Sequence, residues 1–267
     1  MPYSGRRHFP IVLSRLLASL FLLLLTYSTQ LQAVTNDMTR DTFSAWLSHY
    51  YLQPEPERIA PMLRQAAEAG VFSEPSKSGP ALFGFIAGAS SRHPGLAARL
   101  IDDLETLDET TLGLVLIGIW YADLPENESA SLVAAGLNQH PALVQAYPFI
   151  TSEPMSLLEV PAERGPWLLD ALWGYFFATG SSQPVANIID TLPWLDASKK
   201  DEVLAMGGAG LMLMATSGAA RWSLTANARQ HPQVRQICED QLTRHEGLIA
   251  EQLQQILNQA AESGEQQ

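Results

Sequence analysis

One motif occurs twice in this chain and restricts the folds open to it. Leu82-Phe83-Gly84-Phe85-Ile86-Ala87-Gly88-Ala89-Ser90-Ser91-Arg92-His93-Pro94 aligns without a gap on Leu172-Trp173-Gly174-Tyr175-Phe176-Phe177-Ala178-Thr179-Gly180-Ser181-Ser182-Gln183-Pro184. Each copy reads as an aromatic-rich helix, a small polar turn, and a proline opening the next helix at its first position, where a missing N–H does no harm. The punctuation extends to Arg92-His93-Pro94, Gln139-His140-Pro141, Ser182-Gln183-Pro184 and Gln230-His231-Pro232, spaced 47, 43 and 48 residues apart. A single helical hairpin cannot bury its apolar face alone, so repeats of this length predict stacked hairpins. The expected fold is all-α with no β-sheet, as an α-solenoid-like array or as a compact helical bundle.

The apolar periodicity agrees. Phe43, Trp46, Leu47, Tyr50 and Tyr51 recur at i, i+3, i+4, i+7 and i+8, one stripe on a helix that Thr39 or Asp41 can cap. Ile59, Met62, Leu63, Ala66 and Ala67 line a second helix that stops at Gly70. No segment alternates as a strand would. Thr110 to Ala122 is apolar nearly all round and reads as core. Val203 to Ala220 carries no charge, but its glycines dilute its hydrophobicity, so it reads as a buried helix or a broken helix pair. Residues 34–146 and 167–261 form the two helical halves, joined by a linker or loop over 147–166 with prolines at 148, 154, 161 and 166. From Pro232 a long helix caps the end, and a polar tail, 262–267, follows.

The first thirty-three residues carry an address. Arg6, Arg7 and Arg15 precede an apolar run ending at Leu25, and a polar stretch leads to Ala33, the layout of a signal peptide. The run is shorter than the roughly 20 residues that cross a bilayer, so cleavage at or near Ala33 is expected rather than an anchor. Arg6-Arg7-His8-Phe9 matches part of the twin-arginine pattern, but Gly5, Pro10 and the leucine-rich core depart from it, which favours the Sec route. A periplasmic or extracellular protein follows.

Charge limits the partners. The chain has 16 basic and 28 acidic residues, and loss of residues 1–33 removes three arginines and no acid, leaving a net charge of −15. No basic stripe is present to displace the counterions of nucleic acid, and an acidic chain is repelled by anionic lipid. No stable membrane insertion is expected after cleavage. Cys238 is the lone cysteine and cannot form an intramolecular disulfide; Glu239 and Asp240 beside it argue for an inert thiol.

The patterns that carry chemistry are missing. His245-Glu246 lacks the second histidine of a zinc-protease helix, Gly207-Gly208-Ala209-Gly210 is followed by Leu213 where the dinucleotide fingerprint needs its last glycine, no Gly-Lys-Ser/Thr occurs, and there is no nucleophile elbow. Met206, Met212 and Met214 read as core filling rather than copper ligands. His93, His140 and His231 each precede a proline, where imidazole can cap a helix; in stacked units they would form a ladder. Neither a catalytic residue, a cofactor nor a metal is therefore expected. Aromatic side chains remain as candidates: Trp46, Tyr50, Tyr51, Trp173 and Tyr175 would line the concave face of an array and bind a protein or peptide partner, while interhelical core is the plainer role for them.

In Tyr50-Tyr51-Leu52-Gln53-Pro54-Glu55-Pro56, the repeated Leu/aromatic/Gly helix and Arg221-Trp222-Ser223-Leu224, the chain resembles exported helical-repeat proteins of bacteria. It is more loosely similar to tetratricopeptide and HEAT-type arrays. The resemblance implies a helical architecture and lends no activity. The reading that follows is an exported, non-enzymatic protein that binds a protein or peptide partner; the alternative is an all-helical periplasmic enzyme or small-molecule carrier with dispersed acidic site residues.

Overall fold

A computed structural model describes residues 38–104, 107–125 and 127–262. The signal segment and the tail from residue 263 onward lie outside these residues. Helix follows helix throughout: α1 (Arg40–His49), α2 (Pro56–Glu68), α3 (Pro75–Arg92), α4 (Leu96–Leu104), α5 (Glu109–Trp120), α6 (Glu128–Gln139), α7 (Ala142–Ala146), α8 (Trp167–Thr179), α9 (Ser182–Ile189), α10 (Lys200–Ala205), α11 (Gly208–Gln230), α12 (Pro232–Leu242) and α13 (Gly247–Glu262). Short 3-10 turns join several of them, and no strand occurs among the described residues. The fold is all-α.

Local signals start and stop these helices. Thr39, not Asp41, caps α1: its hydroxyl accepts from the Thr42 N–H at 3.1 Å, and the Thr42 hydroxyl accepts from the Thr39 N–H at 2.7 Å. Asp108 caps α5 through the Thr111 N–H at 3.0 Å. The four punctuating prolines all lie at helix starts: Pro94 just before α4, Pro141 at the N-cap of α7, Pro184 in the first turn of α9, and Pro232 as the first residue of α12.

The two motif helices lie together at the centre. Their contact is the most extensive between any two described elements. A Cβ on Gly84 would overlap the Ala171 carbonyl, and a Cβ on Gly174 would overlap the Ala81 carbonyl. Ala81 and Ala171 each precede the leucine of their own motif, so the two contacts are reciprocal and the pair has an approximate two-fold relation. One turn beyond Gly84, Gly88 meets Tyr175 and Ala178, so the two helices run in the same direction. On the other side of α3, Gly118 of α5 presses against Ile86 and the Phe83 carbonyl. Every α5 residue from Thr111 to Trp120 is buried, which explains its lack of a polar face. One apolar cluster extends from Phe43 to Ala260.

Three segments take a more definite form than their sequence reading. Residues 147–166 form a strap tied down along its length: Trp120 Nε1 donates to the Ser152 carbonyl at 3.1 Å, the Leu157 N–H to Tyr121 at 3.1 Å, and Asn187 Nδ2 to Leu158 at 2.8 Å. Ile150 and Leu157 anchor it in the core. Val203 to Ala220 breaks at Gly207, whose φ of 59° favours glycine, and it is not buried as a whole: Leu204, Met206, Leu211 and Met212 are exposed. The long C-terminal helix divides at Gly247, φ 63°, into α12 and α13. No helix among the described residues is long and apolar enough to cross a membrane.

Candidate functional site

The five aromatic residues singled out by sequence do not line an open face. Tyr50, Trp173 and Tyr175 are buried, and Trp46 and Tyr51 are partly so. Trp46 and Tyr50 converge on Phe85 with ring centroids 5.5 and 5.0 Å away. Tyr51 lies on Phe176 at 5.0 Å, and Trp173 stacks on Phe177 at 6.1 Å. These residues fasten α1 and the turn after it to α3 and α8. Burial pushes the Tyr50 phenol up to about 12, with the Glu57 charge adding to the effect. It also raises Tyr175, whose hydroxyl meets Ser91. Tyr50, Trp173 and Tyr175 thus pack in the core, the plainer of the two roles that their pattern allows.

His231 also differs from expectation. His231 lies between α11 and α12, but its imidazole caps neither helix. Its Nδ1 sits 3.2 Å from Tyr51 Oη, and the ring beside it is that of His49, 5.1 Å away. Desolvation, with the His49 charge, lowers its pKa to about 4. No group of three metal-ligating side chains comes together among the described residues.

An open groove of about 790 Å³ lies instead where the strap crosses α3, α5 and the start of α8. Phe83, Trp120 and Tyr121 form its buried floor. Phe149, 42% exposed, and the partly buried Tyr147 and Trp167 form its rim. Phe83 stacks on Tyr121 at 5.7 Å, Trp120 meets Phe149 edge-on at 5.4 Å, and Trp167 lies 5.8 Å from Phe83. The indole N–H groups of Trp120 and Trp167 are spent on the carbonyls of Ser152 and Arg164, which fixes both rings.

Tyr121, Glu153 and Arg164 bring polar groups to the lining. Arg164 is exposed, lines the groove, and has no ion-pair partner among the described residues. Burial raises the Tyr121 phenol, and the Arg164 charge offsets part of that rise. Thr216 of α11 holds the Ala162 carbonyl at 3.3 Å, just before Arg164 in the strap. A groove with an apolar body and a few convergent polar groups can orient a ligand along its length.

Sequence reasoning missed these residues because they come from three distant segments. The available signal was the aromatic content of Tyr147-Pro148-Phe149 and Pro166-Trp167 inside a stretch otherwise readable as connection. No family model, curated protein or solved structure matches this chain.

Proposed function

We propose that this is an exported, non-enzymatic binding protein, and that a protein or peptide partner seats an extended segment in the groove between the strap and α3/α5. One observation carries the reading: six aromatic rings from three parts of the chain line one open channel, together with Glu153 and with Arg164, which has no ion-pair partner among the described residues. Aromatic-lined grooves suit proline-containing segments, whose backbone is already extended and loses little entropy on binding. Arg164 would take a carboxylate beside that segment. Export itself rests on the N-terminal sequence, and an intact mass lacking Met1 to Ala33 in the exported fraction would support it.

Titration of the full chain with proline- and aromatic-containing peptides of about eight residues, followed by tryptophan fluorescence, tests the groove. Phe149→Ala should weaken binding about tenfold or more, the scale of a rim aromatic that contributes more than 1 kcal/mol. Arg164→Gln should remove the preference for a free carboxylate over its amide. A small aromatic acid that binds as tightly as any peptide would replace this reading with that of a small-molecule carrier.

A further inference from the structure

A second surface, on α11, is independent of the groove. Trp222 is 75% exposed, more than any other large apolar side chain among the described residues. It stands at a recess of about 360 Å³ into which Arg221 and Arg229 also project. Arg221 donates to Gln255 Oε1 at 2.8 Å and Arg229 to the Gln259 carbonyl at 2.9 Å, so both guanidinium groups are held in place by neutral acceptors on α13. Neither has a carboxylate within ion-pair distance among the described residues. Two turns separate them, about 12 Å along the axis. In a chain of net charge −12, the only charged residues among the described lining of the recess are these two arginines.

The surface leading to that recess is uncharged. Gly208, Met212, Ala215, Ala219, Trp222 and Ala226 follow one another at helical spacing on a single face of α11, and Met212 is 44% exposed. Leu211, 58% exposed, borders them. Small side chains admit another helix at short interaxial distance, and the methionine and tryptophan at either end supply area. Charge selects the occupant. A second copy presenting the same face would bring two more arginines and no acid, whereas an acidic segment neutralises both guanidinium groups.

We propose that this face of α11 docks an amphipathic helix of a partner protein, its apolar stripe along Met212, Ala215 and Trp222 and two acidic side chains, two turns apart, on Arg221 and Arg229. Such helix-in-groove recognition is read through apolar anchors at i, i+3 or i+4, and i+7.

The test uses the full chain and two stapled 18-residue helices that share a leucine stripe, one carrying glutamates eight residues apart beside it and the other lysines. The glutamate helix is expected to bind at least tenfold tighter, and severalfold more weakly when salt rises from 50 to 500 mM, as rim charges dictate. Trp222→Ala should weaken it about thirtyfold, leaving the circular dichroism and the groove's affinity for its peptide unchanged. The double variant Arg221→Gln, Arg229→Gln should erase the preference for glutamate. Equal binding of the two helices, binding of neither, or an unaltered affinity in Trp222→Ala overturns the proposal. So does a dimer in sedimentation that Trp222→Ala dissolves, or adsorption to phosphatidylcholine vesicles that requires Trp222.

Discussion

Gly174 abuts the backbone of Ala81 so closely that a Cβ at position 174 would overlap the Ala81 carbonyl oxygen, and Gly84 stands in the same relation to Ala171. Because the obstruction is backbone, no rotamer change relieves it; the helices themselves must separate. Gly84→Ala and Gly174→Ala should therefore each destabilise the protein by about 2–3 kcal/mol, the overpacking cost exceeding the helix-propensity gain of about 1 kcal/mol. Gly218→Ala is the contrasting case, since a Cβ there would find only Leu195 Cδ2 at 3.9 Å. That change should leave stability unaltered or raise it by up to about 1 kcal/mol. Urea midpoints of the three variants measure the difference, and equal effects would mean that the close crossing is not what holds α3 and α8 together.

Trp173 of α8 is 5% exposed and packs against Phe176 and Phe177 of the same helix, with ring centroids 6.0 and 6.1 Å away. Removing a buried side chain of this size leaves a cavity that its surroundings fill only in part. Trp173→Ala should cost about 3–5 kcal/mol and lower the melting temperature sharply. A soluble variant with an unmoved melting temperature would return this side chain to the candidates for partner contact.

Periodicity and proline placement made the helical class legible, because helix starts and apolar stripes are local properties. What could not be read was that Gly84 and Gly174 cross each other's helices rather than separate neighbours, since nothing local in either motif names its partner. The same limit hid the candidate site. Phe83, Tyr121 and Trp167 become one stacked group only after the strap has been tied by Trp120, Asn187 and Thr216. In Val203 to Ala220 the glycines mark the break between two helices, but the absence of charge does not mean burial, because an uncharged face is also what an unpartnered contact surface would carry.

Cys238 is wholly buried in α12, and burial with the Glu239 charge pushes its thiol up to about 12. The thiolate, which is the reactive form, is thus scarce at neutral pH in the native state. A disulfide reagent such as dithiobis-nitrobenzoate should label the native protein negligibly within an hour and completely in denaturant. Rapid stoichiometric labelling without denaturant would show that the α12 packing opens locally.

His231 ties stability to pH. Its side chain is 1% exposed, contacts Tyr51 Oη, and faces His49 from α1 and the rings of Phe176 and Phe177 from α8. Desolvation is the main cause of its depressed pKa, about 4 against 6.5 in an unfolded chain, and the His49 charge reinforces it. A histidine whose folded pKa lies below its unfolded value favours the neutral folded form. Its contribution is complete above pH 6.5 and is lost as pH falls toward 4, where the unfolded chain binds a proton that the folded chain excludes. The full difference amounts to about 3 kcal/mol. Carboxylates titrate in the same range, so the informative comparison is between the wild type and His231→Gln, which keeps a polar partner for Tyr51. The variant should be less stable at pH 7.5 and should lose less stability than the wild type between pH 7 and pH 4.5. Parallel stability curves for the two proteins over that interval would show that His231 is not the group that couples proton uptake to unfolding.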